Sequence, residues 1–174
     1  MVKAFHKEGV AVIMDVVYNH VDSRFCYDYV YSNLPGVHNP FIGIFQNADF
    51  GPDCDFTEPL TSDFFYTVNY QWLDNFHVDG FRYDNVSGIY RNPPAPGYCE
   101  LVYETYREAK KGTWPRFSGN GQMNLIQSAE FLENPVTILE KTYSNSAWFE
   151  PTHNAATDYA KNGGGHSLYL LGLN

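Results

Sequence analysis

Two carboxylates in this chain of 174 residues have the surroundings that nucleophilic and acid–base chemistry requires. Arg82 and Asp84 are two positions apart in an apolar segment, and alternate residues of a strand project to the same side. A guanidinium next to an aspartate favours the ionised carboxylate that a nucleophile needs. Glu130 lies at the end of an apolar run, where desolvation raises the pKa of a carboxyl group and keeps it protonated.

One ionised and one protonated carboxyl group together can cleave a glycosidic bond, and retaining glycosidases hold the two roughly 5 to 5.5 Å apart. Asp15, Asn19 and His20 follow another apolar run, so they are expected at the same edge of a sheet. Each residue alone has a structural alternative: Arg82 and Asp84 as an ion pair, Asp15 as a loop anchor, His20 as a surface hydrogen-bonding group. Their joint placement at successive strand ends favours chemistry.

The elements that position these residues follow from the apolar pattern. Strands are predicted over residues 10–17, 77–84, 124–130 and 147–149, and helices over 2–8, 61–76, 100–111 and 134–143. Alternating strands and helices predict an α/β fold with a parallel sheet joined by right-handed crossovers. In such folds the chemistry lies on the loops that leave the carboxyl ends of the strands.

Two details of this prediction concern the segments between strands. In the second helix, the buried face is expected to consist of Phe65, Val68, Trp72 and Phe76, with Thr61 or Ser62 as N-cap. Residues 21–59 show no periodicity, which predicts a long irregular loop with a function. Four aromatic residues of this loop either stack on sugar rings or pack against the protein: Phe25, Tyr27, Tyr29 and Tyr31.

Charge and cysteine content exclude several classes of partner. The chain has 11 Lys and Arg against 20 Asp and Glu, a net charge of -9, which argues against nucleic acid and anionic membrane surfaces. No apolar run reaches the roughly 18 residues of a membrane-spanning helix. Cys26, Cys54 and Cys99 have no metal-binding spacing, so we expect free thiols in a reducing compartment, with one disulfide as the alternative. The compartment stays unknown, with the cytoplasm favoured.

Three segments, in order along the chain, resemble the short signatures of the α-amylase superfamily, glycoside hydrolase family 13. They are Asp-Val-Val-Tyr-Asn-His at 15–20, Gly-Phe-Arg-Tyr-Asp-Asn-Val at 80–86 and Ser-Ala-Glu at 128–130. Residues 55–59 are similar to a segment that the family has between the first two signatures, and residues 70–82 also agree with it. The first two matches are specific, whereas the third is short.

The resemblance implies a (β/α)8 barrel, known as a TIM barrel, and a retaining glycosidase. Asp84 matches the nucleophile that forms a covalent glucosyl-enzyme, and Glu130 matches the general acid and base, with Glu133 as a nearby competitor. The implied substrates are α-glucans such as starch, glycogen and maltodextrin, and the implied role is in carbohydrate metabolism. No nucleic acid or membrane partner is expected.

The same resemblance implies roles for four residues around the carboxylates. Arg82 keeps the nucleophile ionised, His20 contacts the sugar at the cleaved position, and Asp15 pairs with Arg82 and orders the site. With Tyr18 of the first signature, these residues are expected to bind the substrate. Asn19 matches a calcium ligand of the calcium-binding members, but a glycine stands where many amylases have a histidine, so Ca²⁺ and any metal site stay open.

One signature of the family is missing. Its fourth signature is a His-Asp pair that supplies the third essential carboxylate, and none of the six histidines is followed by aspartate. The resemblance covers residues 1–174, but these correspond to about half of a barrel, approximately strands 3 to 6 with their helices. We therefore expect one partial catalytic barrel domain, a fragment whose partner is the remainder of its own barrel and whose activity alone is in doubt.

Two other functions are compatible with these residues. The long segment between Asp84 and Glu130 leaves room for inserted loops, as in the branching-type α-1,4-glucan glycosyltransferases of the superfamily. The missing His-Asp pair instead favours a non-catalytic, carbohydrate-binding remnant of the fold. We expect a glycosidase first, with the transferase and the remnant as alternatives.

Overall fold

The computed structural model describes residues 1–43, 50–86, 89, 97–111, 125–131 and 146–149, with single positions at 154, 156, 157, 160 and 161. Its helices are α1 (Val2–Lys7), α2 (Cys26–Ser32), α3 (Pro59–Phe76) and α4 (Gly97–Lys111). Its strands are β1 (Ile13–Val17), β2 (Gly80–Asp84), β3 (Ile126–Phe131) and β4 (Ser146–Phe149). The helix predicted over 134–143 and the competitor Glu133 lie outside the described residues.

The four strands form one parallel sheet in the order β1-β2-β3-β4. In its register, Asp15 is opposite Arg82 and Val17 is opposite Asp84. This arrangement confirms the predicted α/β fold with a parallel sheet. Because the strands run in the same direction, their carboxyl ends and the residues that follow them meet at one edge.

The two faces of the sheet differ in their burial. Phe81 and Tyr83 on β2 are buried, whereas Ile13 and Val17 on β1 are 43% exposed. Alternation along the strands places Arg82 on the face opposite to that of Phe81 and Tyr83. One face is therefore packed against helices, and the other, which carries the predicted site, is open within the described residues.

The hydrophobic core lies between the packed face of the sheet and the helices α3 and α4. Its members are apolar side chains that are almost completely buried, among them Phe65, Leu73, Val78, Phe81, Tyr83, Tyr98, Leu101 and Val102. Burying such a side chain stabilises the fold by roughly 1.5–3 kcal/mol each. This layer fixes the sheet against the helices.

A network of buried hydrogen bonds crosses this core. Asn69 of α3 accepts a hydrogen bond from the Tyr18 hydroxyl (2.9 Å) and donates from Nδ2 to Tyr83 Oη and Thr105 Oγ1, both at 3.0 Å. The Tyr83 hydroxyl donates to Gln127 Oε1 at 2.9 Å. The network therefore joins two strands, the residue after β1 and both long helices.

The amino-terminal ends of three strands are joined by Asp79. Its Oδ2 accepts from Val12 N at 2.7 Å and lies 2.8 Å from His6 Nε2, while its carbonyl oxygen accepts from Ile126 N at 3.0 Å. Next to it, a Cβ on Gly80 would lie 1.9 Å from the Ile126 carbonyl oxygen, so only glycine allows β3 to approach this closely. These contacts set the register of the strands that end in the predicted site residues.

Segment 21–59 is not wholly irregular, contrary to the sequence prediction. It contains α2, which begins after a turn closed by a hydrogen bond from Phe25 N to Asp22 O of 2.8 Å. Rings from the helix and its N-cap pack on Phe41 and Phe64, with Tyr27 stacked 4.9 Å from Phe41. The helix depends on this aromatic contact between distant segments, which periodicity does not reveal.

Helix α3 begins earlier than expected and buries a different face. Glu58 is its N-cap without a side-chain cap, so the prediction of Thr61 or Ser62 was wrong. Proline after it fits the first turn, because it lacks an N–H that would be unpaired there. The buried residues are Thr61, Phe65, Asn69 and Leu73, whereas Phe76 is 47% exposed.

The remaining elements agree more closely with the sequence. Strand β4 confirms the fourth predicted strand, and α4 starts three residues before its expected beginning. All three cysteines are free thiols, and burial, with the charge of Asp53 as a smaller cause, raises the pKa of Cys54 to about 12. None of the helices in the described part of the chain has the length and apolarity that crossing a bilayer requires.

Candidate functional site

Arg82 lies between two carboxylates at the carboxyl edge of the sheet. Its Nη1 is 3.0 Å from Asp15 Oδ1 on β1 and 2.5 Å from Asp84 Oδ1 on its own strand. All three side chains remain partly exposed, at 38% for Arg82, 69% for Asp15 and 36% for Asp84. The structure thus brings together three residues that the sequence predicted for one site.

The charges around Arg82 reinforce its protonation. Partial burial lowers the pKa of its guanidinium, but the hydrogen bond to Asp15 and the charge of Asp84 outweigh this effect and raise the pKa above its ordinary value. A permanent positive charge therefore lies against the Asp84 carboxylate.

Glu130 lies on β3, the strand next to that of Asp84. The β2–β3 register pairs Tyr83 with Ala129, and Asp84 and Glu130 are the next residues along these two strands. On the other side, Glu130 is opposite Trp148 of β4. The backbone therefore places Glu130 and Asp84 on neighbouring strands, near the same end of the sheet.

His20 lies beyond the end of β1, beside the same edge. Its Nδ1 is 2.5 Å from Asn19 Oδ1; because an amide oxygen only accepts, Nδ1 donates and Nε2 is left for another partner. The ring of Phe50 stacks on the imidazole, with centroids 5.6 Å apart. Sequence reasoning missed Phe50, since nothing local marks a contact across thirty positions.

Asp53 is a second residue that the sequence analysis missed. It forms an isolated antiparallel bridge with His20 and is 5% exposed. Neither carboxylate oxygen has a hydrogen-bond partner among the described residues. A buried charge without a partner is costly, so an orphaned carboxylate next to a candidate site indicates that something else binds there.

Tyr18 does not lie with the other predicted substrate-binding residues. It is 7% exposed, burial raises the pKa of its hydroxyl, and that hydroxyl donates to Asn69 in the core. The structure thus places Tyr18 on the packed face, and its predicted contact with substrate stays a prediction. The apolar run that ends β1 buries the tyrosine, while His20 two positions later reaches the edge.

The aromatic residues of α2 and its N-cap are mostly engaged in packing. Phe25 and Tyr27 contact Phe41 and Phe64, and the Tyr31 ring lies 6.1 Å from that of Phe41. These contacts support the packing alternative for those three rings. Tyr29, at 66% exposure, is the exception among the four.

Comparison with known proteins finds three enzymes whose sequences are similar to about half of this chain. The chain is 29% identical over 102 residues to isoamylase 3, chloroplastic, of Oryza sativa subsp. japonica, covering 53% of this chain and 13% of that protein. It is 31% identical over 99 residues to the glycogen debranching enzyme of Enterobacter sp. strain 638, covering 53% and 15%. It is 34% identical over 97 residues to the malto-oligosyltrehalose trehalohydrolase of Saccharolobus solfataricus, covering 54% and 16%.

Over about half of its length, the chain is thus similar in sequence to three enzymes. No family model matches it. Similarity of fold to solved structures extends further along the chain than the sequence similarity does. The α-amylase of Geobacillus thermoleovorans complexed with acarbose superposes with a TM-score of 0.62 at 18% identity, covering 90% of this chain and 34% of that one.

A second solved structure agrees with the first. The D350A mutant of the pullulanase from Paenibacillus barengoltzii, complexed with maltotriose, superposes with a TM-score of 0.60 at 18% identity, covering 88% of this chain and 23% of that one. The chain thus has the α/β architecture of part of an α-amylase-family barrel. It spans between 13% and 16% of the length of the three curated relatives.

Proposed function

We propose that the protein is a retaining glycosidase acting on α-glucans, in which Asp84 is the nucleophile and Glu130 the general acid and base. The observation that supports this most is the contact of Arg82 with both Asp15 and Asp84 at the carboxyl edge of a parallel sheet. The position of Glu130 on the neighbouring strand supports the same proposal. So does the sequence similarity to an isoamylase and a glycogen debranching enzyme.

In the first step of the proposed reaction, Glu130 donates a proton to the glycosidic oxygen. One carboxylate oxygen of Asp84 attacks the anomeric carbon, the bond to the leaving sugar breaks, and a glycosyl ester of Asp84 forms. Arg82 neutralises part of the carboxylate charge before the attack and supports the returning charge afterwards. His20 donates to or accepts from a hydroxyl of the sugar at this position.

In the second step, Glu130 acts as a base. It takes a proton from water, whose oxygen attacks the anomeric carbon and releases Asp84 as a carboxylate. A sugar hydroxyl in place of water gives glycosyl transfer by the same chemistry, which is the branching-type alternative. The family's third carboxylate has no counterpart in this chain.

We further propose that residues 1–174 form one partial barrel domain containing approximately strands 3 to 6 and their helices. Four consecutive parallel strands with helices on one face support this placement. The solved chain of the Geobacillus amylase is matched over 34% of its length while this chain is matched over 90%. The remainder of the barrel is then the partner that covers the open face.

The experiment that tests the catalytic roles is kinetics on the full-length natural protein with amylose and maltoheptaose. Asp84→Asn and Glu130→Gln are each expected to lower turnover at least 1,000-fold while circular dichroism and the melting temperature stay unchanged. Glu133→Gln is the matched control and should retain activity. Loss in Glu133→Gln with a normal Glu130→Gln enzyme contradicts the choice of acid.

The products of the same assay separate the alternatives. New reducing ends without new α-1,6 branches are expected for a hydrolase. Branches without reducing ends identify the transferase. Binding of maltoheptaose in the unsubstituted protein, with no turnover of glycogen, amylose or maltoheptaose, identifies the non-catalytic remnant.

The donor set beside the site fits a calcium ion, and we propose Asp53 and Asn19 as its ligands. Calcium prefers carboxylate and amide oxygens. The Asp53 carboxylate has no hydrogen-bond partner among the described residues, and the next residue, Cys54, donates its N–H to the carbonyl oxygen of Asn19 at 2.8 Å. Within the described residues no three His, Cys, Asp or Glu side chains cluster for a metal, so backbone oxygens and water would complete the shell. The bound ion would supply positive charge that fixes the loop carrying His20.

Calcium binding is checked by thermal unfolding. Millimolar CaCl₂ is expected to raise the melting temperature of the natural protein, because a ligand that binds only the folded state stabilises it. Asp53→Asn should abolish the increase, and Asp63→Asn, an exposed position on α3, should keep it. A calcium-induced increase that survives in Asp53→Asn contradicts this assignment.

A further inference from the structure

The most exposed aromatic ring next to the site belongs to Phe50. It is 70% exposed, yet it is ordered against His20, with ring centroids 5.6 Å apart and an interplanar angle of 28°. Exposed phenylalanine is costly, since its apolar surface stays in water. The imidazole covers one face of the ring, and the structure shows no contact on the other face within the described residues.

The backbone next to Phe50 is held rigidly. Val21 N donates to Pro52 O at 2.9 Å, Cys54 N donates to Asn19 O at 2.8 Å, and His20 forms a bridge with Asp53. These bonds join the segment after β1 to the segment that follows Phe50.

Gly51 makes this close approach feasible. Its φ is 142°, and a Cβ there would lie 2.2 Å from the Val21 carbonyl oxygen. No other residue fits this position without moving the backbone. The glycine therefore lets the segment that carries Phe50 lie directly against the residues that follow β1.

We propose that the open face of Phe50 is a sugar-binding platform for the glucosyl residue adjoining the one that His20 contacts. A pyranose presents a flat face of C–H groups, and an aromatic ring covers such a face well. Because the imidazole covers one face of Phe50, the sugar would stack on the other face, beside rather than on the group that contacts the first sugar. This inference rests on the proposed function and adds a specificity-determining residue to it.

The alternative occupant of this face of Phe50 is another segment of the same protein. If the ring serves packing, that segment covers it in the full-length protein. The stacking on His20 favours the sugar, because the ring lies beside a predicted substrate-binding residue. The two occupants predict different effects of removing the ring.

The test compares variants of the full-length natural protein in binding of maltoheptaose by calorimetry and in kinetics. Phe50→Ala is expected to raise the Kd and the KM about 3- to 10-fold with kcat within about twofold, because uniform binding is lost. Phe50→Tyr keeps the ring and should restore both values. Tyr70→Ala removes an exposed ring from the outer surface of α3 and serves as the control.

The outcomes separate this inference from the proposed function. Unchanged Kd and KM in Phe50→Ala, with or without a lower melting temperature, overturn the platform and leave the glycosidase proposal intact. Weaker binding in Phe50→Ala of a protein that has no turnover supports the platform and overturns the catalytic proposal. Absence of maltoheptaose binding in the unsubstituted protein overturns both.

Discussion

At the scale of single residues, the most informative feature is that Arg82 forms two ion pairs. Its partners Asp15 and Asp84 are 69% and 36% exposed. Exposed ion pairs contribute a median of about 0–1 kcal/mol to stability, since water screens them and ordering costs entropy. An arginine held between two partly exposed carboxylates is thus explained better by a role in the candidate site than by a contribution to stability.

We predict that Arg82→Ala in the full-length natural protein lowers kcat/KM roughly 100-fold while changing the free energy of unfolding by less than about 1 kcal/mol. Kinetics with maltoheptaose and urea unfolding measure the two effects. Arg107→Ala is the control, because Arg107 pairs with exposed Glu104 on α4, and it should change neither. A large loss of stability with normal activity would assign Arg82 a structural role.

At the scale of secondary-structure elements, the relative placement of strands depends on buried polar side chains. Asn69 is fully buried in α3 and bonds to Tyr18, Tyr83 and Thr105. Tyr83 lies between Arg82 and Asp84 in the chain, on the opposite face. Holding the Tyr83 hydroxyl therefore fixes the strand that presents the candidate nucleophile.

Replacing Asn69 by alanine should be strongly destabilising. The Tyr18 hydroxyl would lose its acceptor in the core, and the hydroxyls of Tyr83 and Thr105 would each lose a donor. A buried polar group left unpaired costs about 1–3 kcal/mol. Urea unfolding of Asn69→Ala is expected to show a loss of roughly 2–4 kcal/mol. Asn75→Ala, an exposed asparagine of the same helix, should change stability by at most about 0.5 kcal/mol. Equal losses in both variants would contradict the importance of the network.

At the scale of the whole molecule, the open face of the sheet is the main unsatisfied feature. Ile13 and Val17 are 43% exposed on the face that carries the site. Within the described residues β1 pairs with β2 alone and β4 with β3 alone, so each has a free edge. A closed barrel has no free edge, and its interior is filled by side chains.

If the barrel closes in the full-length natural protein, Ile13 is buried there. Ile13→Thr is then expected to lower the free energy of unfolding by roughly 2 kcal/mol, since a hydroxyl replaces buried apolar surface. Val10→Thr, at an exposed position before the strand, should cost much less. Thermal or urea unfolding compares the two. Equal small effects would mean that the face stays in water, against a closed barrel.

Much of the architecture followed from local pattern. The strands around Asp15, Asp84 and Glu130 lie where continuous apolar runs predicted them, although each begins two or three residues later. Helix α2 was missed because its packing partners Phe41 and Phe64 are distant in sequence. The face of α3 was misjudged because a polar residue, Asn69, occupies a core position.

The sequence by itself determined that Arg82 and Asp84 share a face, because the period of a strand is two residues whatever the rest of the chain does. It also determined the α/β class and the family resemblance. Tertiary structure alone decided that Tyr18 bonds to Asn69 in the core, that Asp53 pairs with His20 through the backbone and that Phe50 lies on His20. These contacts join segments thirty or more positions apart, and only the register of the strands and the packing of the loop bring them together.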